Sequence, residues 1–292
     1  MKLNKKLIKG VIILTGLLAL ASLAAMLHLR LDNLVFLEHY YDLRVHQEGD
    51  YYQEFRLMYI TNAHDKRVVN HVEFPEYPYI SLSATEQGFM NHFPWESSNG
   101  QTPGEIHGRY STRTIHCRIS QVPSADELDG AVVKTARVFF NDGTQMDVNI
   151  GELHFYVFGF DDRSFESVSS SGSSDGSSSS RYRAIEDVTL ASVKNPMLER
   201  FEHRLDLKVN DHVIDGIDGL EIKEREYLEI RSKLYPGSDP RDVYTMVDIH
   251  PELTYEKSDG EMGKMRFYNI DSIYHGFNFM DLYRYLNARE VL

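Results

Sequence analysis

Thirteen histidines are the first residues to consider for chemistry, because neutral imidazole binds metals and shuttles protons near neutral pH. Loops could bring His64, Asp65 and His71 together, or His92 and His107. A metal site, however, needs three or four ligands in fixed geometry, and neither H-E-x-x-H nor C-x-x-C occurs in the chain. The spacing therefore predicts no metal and no cofactor.

One stretch matches the G-x-S-x-G pattern of serine hydrolases, Gly172 to Gly176. That pattern works only as a strained turn between a strand and a helix, which exposes the serine. Here it lies inside a serine-rich tract, where such matches arise by chance. The phosphate-cradling loop is absent as well, because Gly263-Lys264 is followed by Met265 instead of a serine or threonine. No catalytic residue is predicted.

Aromatic residues are the better candidates for binding. Trp95 is the only tryptophan, and it stands near His92 and Phe93 in a region rich in Pro, Asn and Gly. Exposed aromatic rings can stack on sugar faces or anchor a protein partner. The alternative is that Phe93 and Trp95 close the end of a hydrophobic core. Together with His107, these residues form the predicted binding site.

The single cysteine, Cys117, alternates with polar residues between Ile115 and Ile119. This period of two places its side chain on the apolar face of a strand. We therefore expect a buried, unreactive thiol.

The elements that position these residues begin with an apolar run of 17 residues, 11–27, which follows four lysines. Such a run is at the short end of what spans a bilayer. Because positive charge stays in the cytoplasm, the sequence predicts a cytoplasmic start at 1–10, a transmembrane anchor at 11–31 and an extracytoplasmic body. The alternative is a signal peptide that is cleaved near Ala21 or Ala25.

The body after the apolar run is acidic. All 44 acidic residues but only 26 of the 31 basic ones follow Leu31, which gives the body a formal charge of −18. An acidic surface repels phosphate backbones, so nucleic acid is excluded as a partner. The expected partners are the membrane, through a single span, and another envelope protein or a cell-wall glycan.

A serine tract divides the body, with ten serines among residues 167–180. Such a composition buries little apolar surface, so we expect a flexible linker or a long loop. The flanking segments, 32–166 and 181–292, are then either two β-rich domains or two halves of one sandwich.

Both segments contain alternating apolar residues with turn signals between them, which predicts a mainly β fold, a transmembrane helix followed by one or two β-sandwich-like ectodomains. The strongest signal is 136–150, where Asp142-Gly143 predicts a hairpin turn. A short C-terminal helix is predicted after Asn278, a suitable N-cap. Another helix is expected around 32–43.

These features favour a membrane-anchored, non-enzymatic binding, sensing or structural module of the cell envelope. The first alternative is an envelope hydrolase or metal-dependent enzyme that uses histidines and acids from 61–116. The second is a protein that is secreted after cleavage of its signal peptide.

Overall fold

The computed structural model describes residues 5–46, 53–86, 104–121, 127–158, 164–268, 270–272 and 276–292. Strands make up 50% and helices 17% of the structure, which confirms the mainly β fold. The helices are α1 Lys5–His28, α2 Leu198–Phe201, α3 Pro240–Val243 and α4 Phe279–Ala288. The strands are β1 Val35–Phe36, β2 His39–His46, β3 Gln53–Asn62, β4 Val69–Glu73, β5 Ser81–Thr85, β6 Glu105–His107, β7 Tyr110–Gln121, β8 Val132–Phe140, β9 Gln145–Phe158, β10 Phe165–Gly172, β11 Ser177–Ala184, β12 Val188–Lys194, β13 Leu205–Val209, β14 His212–Val213, β15 Glu221–Ile222, β16 Tyr227–Leu234, β17 Met246–Ile249, β18 Glu252–Lys257, β19 Met262–Arg266 and β20 Ile270–Asp271.

Two sheets pack face to face around the first core. Sheet 1 has the order β1–β3–β7–β5, with β6 also paired to β7, and sheet 2 has the order β20–β17–β2–β9–β8–β4. Alternate residues of each strand face inward, so Leu57 and Ile115 of sheet 1 lie in one cluster with Leu43, Val138 and Phe155 of sheet 2. Cys117 is buried in this core, as the alternation predicted. Burial raises the pKa of its thiol, which keeps it uncharged.

The second core is formed by two further sheets and the opposite face of sheet 2. Sheet 3 has the order β10–β11–β16–β13–β14, and sheet 4 has the order β15–β12–β18–β19. Ile230 of sheet 3 and Leu190 and Leu253 of sheet 4 share one cluster with Tyr40 and Val247 of sheet 2. Sheet 2 therefore lies between the two cores.

Sheet 2 combines strands from both sides of the serine tract. Strand β2 lies between two parallel neighbours, β9 from the segment before the tract and β17 from the segment after it. The parallel partner of His39 is Gly151 on one side and Met246 on the other. The C-terminal helix α4 covers the outer face of sheet 1, where Leu282 and Leu286 share a third cluster with Ile60.

Three local predictions are confirmed. The β8–β9 hairpin turns at Gly143, whose φ of +82° is the left-handed conformation that glycine supplies. Helix α4 follows Asn278, whose side chain accepts a hydrogen bond from the backbone N–H of Asp281 at 3.0 Å. The apolar segment Ile8–His28 is helical; it is the one helix, among the residues that the structure describes, with the length and composition to cross a membrane.

Two predictions differ from the structure. The prediction of a helix around 32–43 is wrong, because this segment forms β1 and the start of β2. Tyr40 packs in the second core and Tyr41 in the first, so both faces of β2 are buried. A strand that is buried on both faces lacks the alternation of apolar and polar residues by which a strand is identified in a sequence. The serine tract, expected as a linker or loop, forms most of strand β10, the turn that follows it and the first half of strand β11. Its backbone N–H groups hydrogen-bond within sheet 3, an interaction that does not depend on apolar side chains.

Candidate ligand-binding face

Of the four predicted binding residues, the structure describes His107. His92, Phe93 and Trp95 lie outside the described residues, and their role stays a prediction. His107 ends β6, where its Nε2 lies 3.1 Å from Thr112 Oγ1 and 3.7 Å from Glu105 Oε2. Its ring centroid is 6.0 Å from that of Phe277, so His107 is engaged in packing at the base of α4.

The histidines of the 61–116 region form no metal cluster among the residues that the structure describes. The exposed side chains of His71 and Glu73 on β4 pair with each other across 3.2 Å. His116 lies on β7, on the outer face of sheet 1, and burial lowers its pKa, helped by the neighbouring Arg56.

The Gly172–Gly176 match forms the turn that joins β10 to β11, and a strand follows it in place of the helix that a nucleophile elbow requires. Asp175 organises this turn. Its Oδ1 accepts hydrogen bonds from the Ser177 hydroxyl at 2.6 Å and the Ser177 N–H at 3.1 Å, and its Oδ2 lies 2.9 Å from Lys233 Nζ. These bonds lower the pKa of Asp175, and the hydrogen bond from the Ser177 hydroxyl contributes most. The turn is thus fixed to β16.

A polar groove lies beside this turn, on the outer face of sheet 3. It has a volume of about 560 Å³. The strand register aligns its side chains in cross-strand rows, the first of which runs from Lys208 through Arg231 and Ser179 to Ser171. A second row begins with Asp206 and Lys233 and continues to Ser177. Serine hydroxyls therefore form one half of the groove and charged side chains the other half.

The cations of the groove are paired with carboxylates. Arg231 donates to Asp211 at 2.9 Å and to Glu229 at 2.9 Å, and Lys208 Nζ lies 3.3 Å from Asp206 Oδ2. The Glu229 carboxylate is the main cause of the raised pKa of Arg231. The groove is therefore hydrophilic without a strong excess of either charge, which suits a neutral polar ligand better than a polyanion.

Two exposed tyrosines mark the ends of the same face. Odd-numbered residues of β16 point outward and even-numbered ones are buried, so Tyr227, Arg231, Lys233 and, just after the strand, Tyr235 follow one line. Tyr227 and Tyr235 are 43% and 45% exposed. At the usual rise of a strand, they stand about 27 Å apart. The Arg181 guanidinium lies over the Tyr227 ring at 3.7 Å and holds it in place.

Comparison with known proteins assigns no function to this face. No family model matches the chain, and no curated protein matches it. One similar solved structure is a protein of unknown function from Porphyromonas gingivalis W83, with 13% identity and a TM-score of 0.25 over 80% of this chain and 97% of that one. Another is a marsupial T cell receptor, with 10% identity and a TM-score of 0.19 over 77% of this chain and 58% of that one. Neither likeness carries an inference about function.

The sequence missed the groove because its serines were expected in a linker. The signal that could have found it is the alternation from Tyr227 to Tyr235, which places polar and aromatic residues on one exposed face of a strand.

Proposed function

We propose that this protein is a single-pass, membrane-anchored module of the cell envelope, which displays its β-rich body outside the cell and binds a ligand without catalysis. The observation that carries the proposal is the exposure of helix α1. Its apolar segment Ile8–His28 is not buried by the rest of the protein. Exposed apolar surface on this scale needs another apolar medium, and a bilayer provides it. Basic residues at 2, 5, 6 and 9 favour a cytoplasmic amino end.

The connection between helix and body supports a stiff tether. The Tyr110 hydroxyl donates to the Leu29 carbonyl at 3.0 Å, and the Asn62 side chain bonds both the N–H and the C=O of Leu31, at 3.0 Å and 2.7 Å. The Leu31 side chain is buried in the third cluster. The body therefore begins within three residues of the helix end, which would hold it close to the membrane surface.

The ligand that fits the groove best is a polyhydroxylated chain such as a cell-wall glycan. Serine hydroxyls both donate and accept hydrogen bonds, as sugar hydroxyls do. Tyr227 and Tyr235 would stack on sugar faces at the two ends. The paired charges between them favour an uncharged polymer.

Protease protection tests the topology. In intact cells that express the full chain with a carboxyl-terminal epitope, external protease should remove the epitope. An epitope that is degraded only after the membrane is permeabilised would refute the extracytoplasmic body. Intact mass distinguishes the anchor from the secreted alternative, because cleavage near Ala21 or Ala25 would shorten the chain and leave Leu29 and Leu31 in place.

Co-sedimentation tests the ligand. The full chain in detergent should sediment with insoluble cell-wall glycan. The double variant Tyr227→Ala/Tyr235→Ala should bind about fivefold or more weakly, as the loss of about 0.5–1.5 kcal/mol per stacked ring implies. Tyr79→Ala is the matched control, since Tyr79 is 42% exposed and lies outside sheet 3. Equal binding by the wild type and the double variant would exclude the groove as the glycan site.

A further inference from the structure

A second polar cavity lies on sheet 1, in the part of its outer face that α4 leaves uncovered. It has a volume of about 300 Å³ and is formed by neighbouring positions of β3, β7 and β5. Arg56 lies opposite His116, and His116 lies opposite Thr85. In the next row, Arg118 stands between Glu54 and Ser83. Directly opposed residues on adjacent strands have Cβ atoms about 5 Å apart, so these side chains converge.

The charges of this cavity are unbalanced. Arg118 is held by Glu54, with its Nε 2.9 Å from Oε1. Within the described parts of the chain, by contrast, no ion pair or hydrogen bond engages the guanidinium of Arg56. This is notable in a body with a formal charge of −18, where carboxylates are abundant. Arg56 instead faces another basic group, His116. Whenever His116 is protonated, two like charges lie directly opposite each other, an arrangement that destabilises a sheet.

We propose that this cavity binds an oxoanion, a phosphate or carboxylate group, between Arg56 and His116. The planar guanidinium can hold two oxygens of such a group at once, and the His116 imidazolium would donate a third hydrogen bond. Arg118 stands in the neighbouring row, where Glu54 offsets its charge, so the net positive charge of the site comes from Arg56 and, once protonated, His116. The site is on a different sheet from the serine-lined groove, so it does not depend on the proposed glycan binding.

The site should bind its anion more tightly as the pH falls. The groups that face His116 are Arg56 and Glu54 from β3, Thr85 and Ser83 from β5, and Arg118 from its own strand. Without an anion, burial and Arg56 lower the pKa of His116, while Glu54 raises it. A bound anion favours the imidazolium, and by linkage the imidazolium favours the anion.

Calorimetric titration of the full chain in detergent, with inorganic phosphate and with acetate in separate experiments, tests the site. We expect one binding event. For acetate, which stays ionised between pH 8 and pH 6, the binding should strengthen over that range. Arg56→Gln should weaken it by about tenfold or more. His116→Asn should remove most of the pH dependence while Arg56 still binds. Arg284→Gln, which changes a side chain that is 65% exposed on α4, is the matched control and should bind as the wild type does.

The two probes separate the sources of the anion. Binding of phosphate alone identifies a phosphate group, and binding of acetate alone identifies a carboxylate. If neither binds to the wild type, or if Arg56→Gln binds as well as Arg284→Gln does, the site is excluded. Neither result bears on membrane anchoring or on the glycan groove, which are tested separately.

Discussion

At the scale of single residues, His39 connects the two sheets of the first core. It is fully buried on β2, where its Nε2 accepts a hydrogen bond from the Met58 N–H at 2.9 Å. Nδ1 therefore carries the proton and donates to the Ile150 carbonyl at 3.1 Å. This arrangement requires the neutral ring, and burial lowers the pKa of His39 to about 4.

The His39 imidazole should make the fold sensitive to acid. Below its ordinary pKa of 6.5 the unfolded chain binds a proton that the folded chain binds only near pH 4. Stability should therefore be complete above pH 6.5 and fall by about 3 kcal/mol as the pH drops to 4. Denaturant unfolding of His39→Gln should show a lower stability at pH 7.5 and a shallower loss towards pH 4.5. His212→Gln, which changes an exposed histidine, should retain the acid dependence of the wild type; a loss of that dependence in both variants would contradict the assignment.

Gly151 lies directly against the backbone of His39. Its φ is +97°, and a Cβ at this position would lie 2.2 Å from the His39 carbonyl oxygen. We expect Gly151→Ala to lower the free energy of unfolding by more than about 2 kcal/mol. Gly143→Ala also has a positive φ, of +82°, but its Cβ would meet no atom within 4 Å, so it should cost only about 1 kcal/mol. Equal losses in the two variants, measured by urea unfolding, would show that the His39 contact is unimportant.

At the scale of elements, the serine hairpin shows how backbone pairing can overrule composition. Strand β11 is paired on both sides, with β10 and with β16, whereas β10 is an edge strand on which seven of eight residues are exposed. Ser180 and Ser232 are buried, and the Ser180 hydroxyl donates a hydrogen bond to the Ser170 hydroxyl of β10 at 3.2 Å. The tract is therefore structured by its neighbours in sheet 3.

Hydrogen exchange should separate these two strands. Amides of β11 that donate within sheet 3 should exchange at least about tenfold more slowly than the outward-facing amides of edge strand β10. Exchange across the whole tract at the rate of an unstructured peptide would show that it is a linker after all. Peptides from β16, whose even-numbered side chains are buried, provide the internal reference for slow exchange.

At the scale of the whole molecule, the two segments around the serine tract are joined by backbone hydrogen bonds. β17 extends sheet 2 next to β2, and α4 packs Leu282 and Leu286 against Ile60 of β3. Sheet 2 also contributes residues to both cores. We therefore expect the body to unfold as one cooperative unit.

Core truncations on the two sides test this cooperativity. Leu57→Ala in the first core and Leu190→Ala in the second remove side chains that are 0% and 1% exposed, so each should cost about 2–5 kcal/mol. Both variants should shift one and the same unfolding transition, whether it is followed by circular dichroism or by tyrosine fluorescence. Two transitions, of which each variant moves only one, would establish independently folding domains.

Much of the fold could be predicted because its signals are local. The β8–β9 hairpin depends on Gly143, the C-terminal helix on its cap at Asn278, and the burial of Cys117 on simple alternation. The candidate groove could not be predicted, since its parts come from β10, β11, β13 and β16, and only the strand register aligns Ser179 with Arg231 and Lys208. A cross-strand row of this kind leaves no trace at any one place in the sequence.

The sequence by itself determined the apolar amino-terminal helix, the mainly β class and the acidic surface, because these follow from composition and from periods of two and 3.6 residues. Tertiary structure decided that the serine tract is a hairpin, that β2 has both faces buried, and that strands from both segments share sheet 2. The physical reason is that backbone hydrogen bonds between distant strands are set by which surfaces can be buried together. Which surfaces are buried together is decided only when strands that are distant in the sequence meet in the folded molecule.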